Sequence, residues 1–240
     1  MMKYKILSTK KLEPSLLQQA IEIGCEIIEQ EFISVKLIPN TAFQKAEVAN
    51  WAEKQDVVFT SANAVQAVSK ILESSGISFP SHWNIFCISG RTKAAITDHF
   101  SKERIMATAD YGKDLAEKIV EHANEEVIFF CGNKRRDELP KILRQAGLSV
   151  HEVVVYETIE TPVSINQQFD GVLFFSPSSV ESFFSMNDLQ QNVVCFAIGN
   201  TTAHSIRHHT NNKIIISESP TQEVLLEEVN SYFQNINCYE

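Results

Sequence analysis

The sequence has no apolar run that approaches the roughly 20 residues a membrane-spanning helix requires. Its opening residues, MMKYKILSTK, also lack the apolar stretch of a secretory signal. We therefore expect a cytoplasmic protein with no membrane segment.

Paired cysteines are also lacking. The five cysteines are scattered, and no two form a Cys-x-x-Cys pair. Cys87, Cys131 and Cys195 lie in the apolar runs NIFCIS, VIFFCG and VVCFAI, which is typical of buried, reduced thiols. The seven histidines show no metal-binding spacing. These patterns argue against a disulfide framework and against a zinc site.

Positive net charge and phosphate-binding motifs are missing as well. The formal net charge of −9 argues against sequence-independent nucleic-acid binding. It still allows a small anionic ligand, because the field in a cleft depends mainly on the nearby charges. The chain contains no G-x-G-x-x-G, G-x-x-x-x-G-K-[ST], G-x-S-x-G or H-E-x-x-H motif. A nucleotide-dependent enzyme is therefore a weak hypothesis.

Short apolar runs alternate with segments of helical periodicity along the whole chain. This alternation predicts an α/β fold with parallel sheets covered by helices on both faces. Residues 41–54 are a helix candidate, and the stretches 26–38 and 148–161 alternate like two unusually long strands. An antiparallel ribbon of these two strands could join two domains and leave a cleft between them.

Three sequence blocks occur twice, in the same order. DVVFTSANAV, ISGRTKAAI and DYGKDLAEKI correspond to DGVLFFSPSSV, IGNTTAHSI and SPTQEVLLEEV. The opening unit, 3–24, has a similar partner in the segment that starts EEVIFFCGNKRR. The repeats predict two homologous α/β halves whose parts follow each other as a, b, a, b.

Hydroxyls, amides, glycines and a few cations follow the predicted strands. Ligands of parallel sheets gather at the carboxyl ends of strands, beside helix N-termini. Any single hydroxyl there is better explained as a helix cap, and Ser178-x-x-Glu181 could be a capping box. Six loops that follow predicted strands carry such residues. If all six surround one cleft, they would suit a ligand with several carboxylates or phosphates.

Six segments together resemble the uroporphyrinogen-III synthase family: FTSANAV, ISGRTKAAI, GNKRRDELPKILRQAGLSVHEVVVYET, DGVLFFSPSSVESFF, FAIGNTTAHSI and SPTQEVLLEEV. The resemblance spans nearly the whole chain. It implies two flavodoxin-like (Rossmann-like) parallel-sheet domains joined by a two-stranded β-ladder. The implied domains are 1–34 plus 163–240, built from both termini, and 39–150 in the middle, with 35–38 and 151–162 as connecting strands.

The resemblance also implies an activity. Members of this family are lyases of haem biosynthesis that cyclise hydroxymethylbilane to uroporphyrinogen III, with inversion of ring D and loss of water. No metal or organic cofactor is implied. The implied partner is the substrate alone, a linear tetrapyrrole polycarboxylate, bound by a monomer without nucleic acid or membrane.

The family's site residues map onto this sequence position by position. Tyr156 in VVVYET matches a tyrosine near the cleft that could hydrogen-bond to the leaving hydroxyl or protonate it. The implied substrate-binding residues are Lys10, Ser61, Thr92, Arg136, Ser176, Ser178, Thr201 and Thr202. The first loop reads STKK where the family often has a Thr-Arg-Pro-like run, so Lys10 would replace an arginine.

A second hypothesis is a non-catalytic, two-lobed α/β module that binds a small anion. The polar loops fit this module equally well. Exported modules of this kind need a signal peptide, and intracellular ones usually carry a DNA-binding segment. We see neither in the sequence.

Overall fold

The computed structural model describes residues 4–38, 55–78, 82–100 and 104–237, with side chains described up to residue 234. The predicted helix over 41–54 lies outside these residues. The strands are β1 Tyr4–Ser8, β2 Cys25–Glu29, β3 Ile33–Leu37, β4 Asp56–Phe59, β5 Asn84–Ile88, β6 Ile105–Ala109, β7 Glu126–Gly132, β8 Ser149–Glu160, β9 Gly171–Phe174, β10 Val194–Ala197 and β11 Ile214–Ile216. The helices are α1 Pro14–Glu22, α2 Ala62–Ser74, α3 Arg91–His99, α4 Gly112–His122, α5 Glu138–Gln145, α6 Pro177–Phe184, α7 Asn200–Arg207 and α8 Gln222–Asn237.

The chain divides into two compact units. The terminal unit comprises Met1–Ser34 and Ile159–Glu240, and the middle unit comprises Val35–Thr158. The terminal unit contains a parallel sheet of order β11-β10-β9-β1-β2, and the other sheet has the order β3-β8-β7-β4-β5-β6. The predicted fold class, a two-domain α/β protein with mostly parallel strands, is confirmed.

The two sheets repeat one strand order. In the terminal unit β2-β1-β9-β10-β11 are neighbours, and in the middle unit β8-β7-β4-β5-β6 are neighbours in the same sense. In the terminal unit β1, from the a-type segment, pairs with β9, from the b-type segment. In the middle unit β7 pairs with β4 in the same way. The helices agree, because Val65 of α2 and Val180 of α6 are both fully buried. The same holds for the repeat-related pairs Ile96 and Ile206, and Leu115 and Leu225.

Both faces of the central strands are buried. In β4, Val57 and Phe59 join one core cluster while Val58 joins another. In β9, Val172 and Phe174 lie on one side and Leu173 on the other. Alternate residues of a strand point to opposite faces, so a strand covered on both sides must be apolar throughout. The runs VVF, residues 57–59, and GVLF, residues 171–174, meet this requirement.

The predicted long strand over 26–38 is wrong as a single element. β2 ends at Glu29, and β3 begins at Ile33 in the other sheet. Between them Phe32 is fully buried, and its ring lies 5.2 Å from that of Phe183. Residues 29–33 read EQEFI, three polar residues followed by two apolar ones, so the alternation is interrupted at the point where the strands separate. The second long strand is confirmed as β8.

β3 and β8 run antiparallel at the point where the chain passes between the units. The amide of Ile38 donates to the carbonyl of Val155 at 3.1 Å, and the amide of Thr161 donates to the carbonyl of Phe32 at 2.9 Å. Partner numbers fall along one strand as they rise along the other, which is the antiparallel pattern.

In the part of the chain that the structure describes, no helix is both long and apolar enough to cross a membrane.

Candidate active site

Tyr156 lies across the end of β7. The pairing of β7 with β8 shifts register between Cys131 and Gly132, so that Gly132 faces Tyr156. A Cβ atom added to Gly132 would lie 2.4 Å from Cζ of the Tyr156 ring. The bulge and the glycine together let the ring approach the backbone closely, at the carboxyl end of β7.

The hydroxyl of Tyr156 donates to Oγ of Ser61 at 3.1 Å. Ser61 is also the N-cap of α2, where its Oγ accepts from the amide of Asn63 at 3.1 Å. Burial raises the pKa of the Tyr156 phenol, and the hydrogen bond with Ser61 opposes that rise. The phenol is therefore protonated at neutral pH and can donate a hydrogen bond.

A cavity of about 310 Å³ opens beside this pair, within the middle unit. The N-termini of α2, α4 and α5 reach its lining through Ser61, Gly112 and Glu138. Helix N-termini present unpaired backbone N–H groups and a partial positive charge, so these three ends favour an anion. The remaining lining residues are Thr60, Ile88, Asp110, Tyr111, Phe129, Gly132, Lys134, Arg135, Arg136, Leu139 and Tyr156.

The basic loop after β7 is anchored by one of its arginines. Arg135 forms ion pairs with Glu152 and Asp137, and Arg144 contacts the other oxygen of Glu152 at 2.6 Å. The hydrogen bond to Glu152 raises the pKa of Arg135, although burial opposes this rise. Arg136 is exposed and lines the cavity, and among the described residues no carboxylate lies within 4.0 Å of it. Arg135 is therefore structurally engaged, while Arg136 is available for a ligand.

In the terminal unit, the predicted residues lie on loops and helix ends. Ser176 is the N-cap of α6, and its Oγ accepts from the amide of Ser179 at 3.1 Å. The predicted capping box at Ser178 and Glu181 is therefore wrong: Ser178 lies one residue inside the helix, after Pro177 at its first position. Proline preorganises the first helical residue, so the cap is Ser176, two positions before Ser178.

Lys10 follows β1, and its carbonyl accepts from Oγ of Ser8 at 2.5 Å. Thr201 is exposed at the start of α7, and Thr202 beside it is only 3% exposed. Thr92 of α3, which corresponds to Thr202 in the repeat, is 5% exposed and does not line the cavity of the middle unit. The structure thus brings Ser61, Arg136 and Tyr156 to one cavity and places Thr92 away from its lining.

Sequence reasoning missed two residues of this region. Tyr111, the N-cap residue of α4, lines the cavity and is 64% exposed, which is unusual for a large aromatic side chain. Glu152 holds both Arg135 and Arg144. In the sequence, Glu152 alternates with apolar residues of β8, which indicates only that it lies on the polar face of a strand.

Among the described residues, no group of three or more His, Cys, Asp or Glu side chains could hold a metal ion.

The model of the family described as uroporphyrinogen-III synthase HemD matches residues 15–227 of this chain. The chain belongs to the uroporphyrinogen-III synthase family. This family comprises cyclising lyases of tetrapyrrole biosynthesis. The predicted family and enzyme class are thereby confirmed.

Solved uroporphyrinogen-III synthases share the fold. A mutant enzyme from Thermus thermophilus is 13% identical, with a TM-score of 0.69, and the match covers 98% of this chain and 99% of that one. The enzyme from Helicobacter pylori is 18% identical, with a TM-score of 0.66, and the match covers 96% of this chain and all of that one. At such low identity these structures support the fold, and the family model supports the assignment.

Proposed function

We propose that this protein closes hydroxymethylbilane to uroporphyrinogen III, inverting ring D and releasing water. Family membership carries this proposal. The site that supports it is the cavity where Tyr156, Ser61 and Arg136 meet three helix N-termini.

Tyr156 is proposed to assist departure of the substrate's hydroxyl. Its protonated phenol can hydrogen-bond to that hydroxyl or give it a proton, so that water leaves and an azafulvenium-like cation remains. Attack by the substituted carbon of ring D then forms a spiro intermediate, which reopens and closes again with the ring inverted. After re-closure, the C–H bond on the newly joined carbon of ring D breaks, which restores the aromaticity of that pyrrole. The released proton can return to the phenolate, so the step is balanced.

Substrate positioning is proposed to account for the selectivity. The bilane cyclises without enzyme to the uninverted isomer, so the protein must favour one folded geometry of an already reactive chain. Arg136 and the N-termini of α2, α4 and α5 are suited to acetate and propionate groups. Lys10, Thr92, Ser176, Ser178, Thr201 and Thr202 remain proposed substrate contacts on the strength of the family resemblance.

The family's substrate is a tetrapyrrole, and this chain is proposed to use the same class. A monomeric state, a cytoplasmic location, the absence of nucleic acid and the division at 39–150 stay predictions. The non-catalytic anion-binding module receives no support from the family match, whose members are enzymes.

The proposal is tested by the isomer ratio of the product. Purified protein is given freshly generated hydroxymethylbilane, and the product is oxidised and separated into uroporphyrins I and III. We expect a large excess of isomer III over the enzyme-free control. Isomer I alone, at the background rate and from protein shown to be folded, would contradict the proposal and leave an anion-binding module.

A further inference from the structure

Two histidines on α7 share one face of the helix. His204 and His208 are four residues apart, which places them one helical turn from each other. Both side chains are exposed. No metal-binding spacing was expected among the seven histidines from the sequence, but a separation of four residues places two of them one helical turn apart.

Their ring nitrogens converge. Nε2 of His204 and Nε2 of His208 are 3.1 Å apart, the ring centres are 4.7 Å apart and the rings are perpendicular. Two imidazoles bound to one metal by bonds of about 2.1 Å, at an angle of about 95°, would place their nitrogens about 3.1 Å apart and their ring centres about 4.8 Å apart. The observed pair matches both values.

Other arrangements fit less well. A straight N–H···N hydrogen bond of the same length would separate the ring centres by about 5.4 Å. A tetrahedral angle of about 109° would require about 3.4 Å between the nitrogens and about 5.3 Å between the ring centres. An angle near 90° is that of adjacent positions in square-planar or octahedral complexes, which Cu²⁺ and Ni²⁺ prefer.

The surroundings also favour a cation. His208 is the C-cap of α7, where the helix dipole places a partial negative charge. Glu181 of α6 accepts from Oγ of Ser205 at 2.7 Å and lies 3.0 Å from Nε2 of His209.

We propose that His204 and His208 form a two-nitrogen binding site for a divalent first-row transition metal, Cu²⁺ or Ni²⁺, with water in the remaining positions. The proposed metal ligands are not among the proposed substrate-binding residues, and metal binding can be measured without the tetrapyrrole substrate. By joining two turns of α7, the metal would stabilise the C-terminal end of that helix.

Calorimetric titration of the full chain with Ni²⁺ tests the site. We expect the tightest class of binding to be one Ni²⁺ per chain, in the micromolar range. His204→Gln and His208→Gln should each weaken it at least tenfold, while the matched control His122→Gln, at the end of α4, should leave it unchanged. Circular dichroism of each variant shows whether the fold is retained.

Two further readouts separate this site from other histidines. Ni²⁺ should raise the thermal midpoint of the parent protein and of His122→Gln, and should not raise that of the double variant at positions 204 and 208. With Cu²⁺, paramagnetic resonance should show coupling to two imidazole nitrogens in the parent and to fewer in either single variant. Equal Ni²⁺ affinity in the parent and the double variant, or binding only at millimolar metal, would overturn the proposal.

Discussion

The middle and terminal units place a serine at the same point of the repeat, but the two serines have different partners. Ser61 caps α2 and also accepts the hydroxyl of Tyr156. Ser176 caps α6, and its hydroxyl bonds only to Ser179 of the same helix among the described residues. One serine therefore connects the scaffold to a candidate catalytic group, while the other serves its own helix.

The aromatic residues differ in the same way. In the middle unit, Tyr156 on β8 keeps its hydroxyl at the cavity. In the terminal unit, β2 ends at Glu29, and the next aromatic residue, Phe32, is buried against Phe183. In the terminal unit this region of the fold therefore carries an aromatic residue that only packs, Phe32. In the middle unit it carries one with an ionisable hydroxyl, Tyr156. A shared strand order fixes where side chains end up, while individual residues decide what they can do there.

Removing the available cation of the middle unit is the strongest test of this difference. Arg136→Gln should raise KM for hydroxymethylbilane about 10- to 100-fold with little change in kcat, since a charged hydrogen bond contributes about 1.5–3 kcal/mol. Steady-state kinetics checks this. Lys141→Gln removes the same charge from the exposed face of α5, outside the cavity lining, and should leave KM unchanged. Equal KM values for the parent and Arg136→Gln would show that Arg136 does not bind the substrate.

The close approach of Tyr156 to the backbone can be broken directly. Gly132→Ala places a methyl group within 2.4 Å of the ring, so the ring must move and its bond to Ser61 is lost. We expect kcat to fall and the free energy of unfolding to drop by about 1–3 kcal/mol. Gly112→Ala, whose nearest neighbour would be 3.8 Å away, is the matched control and should not be destabilised. Chemical denaturation and kinetics of both variants decide the matter, and an active, stable Gly132→Ala protein contradicts the packing argument.

The two glycines that cap the corresponding helices α3 and α7 should also respond differently. Gly90 has φ of 68° and ψ of −130°, whereas Gly199 has φ of 173°. Alanine is strained in the first conformation and unstrained in the second, so Gly90→Ala should lose about 1–3 kcal/mol more stability than Gly199→Ala. Urea denaturation midpoints measure the difference, and equal losses would count against it.

The smallest expected effect separates the two capping serines. Ser61→Ala and Ser176→Ala should each cost about 1 kcal/mol of stability from loss of the cap. Only Ser61→Ala removes the hydrogen bond that lowers the pKa of Tyr156, so the phenol should titrate at higher pH in that variant alone. Ultraviolet titration, with Tyr156→Phe subtracted, reports this pKa. An unchanged phenol titration in Ser61→Ala would refute the link.

The sign of the pH effect on stability follows from the same pKa. The folded-state pKa of Tyr156 lies above its ordinary value of 10.0, so its contribution to stability is complete below that pH. The contribution is lost as the pH rises through the folded-state value.

Much of the scaffold could be predicted from the sequence because its signals are local or repeated. Apolar runs such as DVVF and GVLF marked the buried strands, and the offsets between repeated blocks placed Val65 and Val180 at equivalent buried positions. The polar residues 29–31 interrupt the alternation, but they do not show that β2 and β3 pair in different sheets. Pairing partners are distant along the chain, and alternation does not record them.

The candidate site was less accessible to sequence reasoning. Tyr156 and Arg136 could be proposed from the family resemblance, but the Gly132 contact depends on a register shift that no local pattern encodes. The basic run at 134–136 did not show which arginine is engaged, since that depends on Glu152 of the neighbouring strand. Helical spacing of four could have revealed His204 and His208, because that signal is local.

The most direct test of the account is the turnover of Tyr156→Phe with hydroxymethylbilane, together with the ratio of isomers III and I. We predict a kcat about 100-fold lower or more, with stability within about 1 kcal/mol of the parent because one hydrogen bond is lost. Full turnover to isomer III by a folded Tyr156→Phe protein would contradict the claim that the middle unit's tyrosine carries the chemistry.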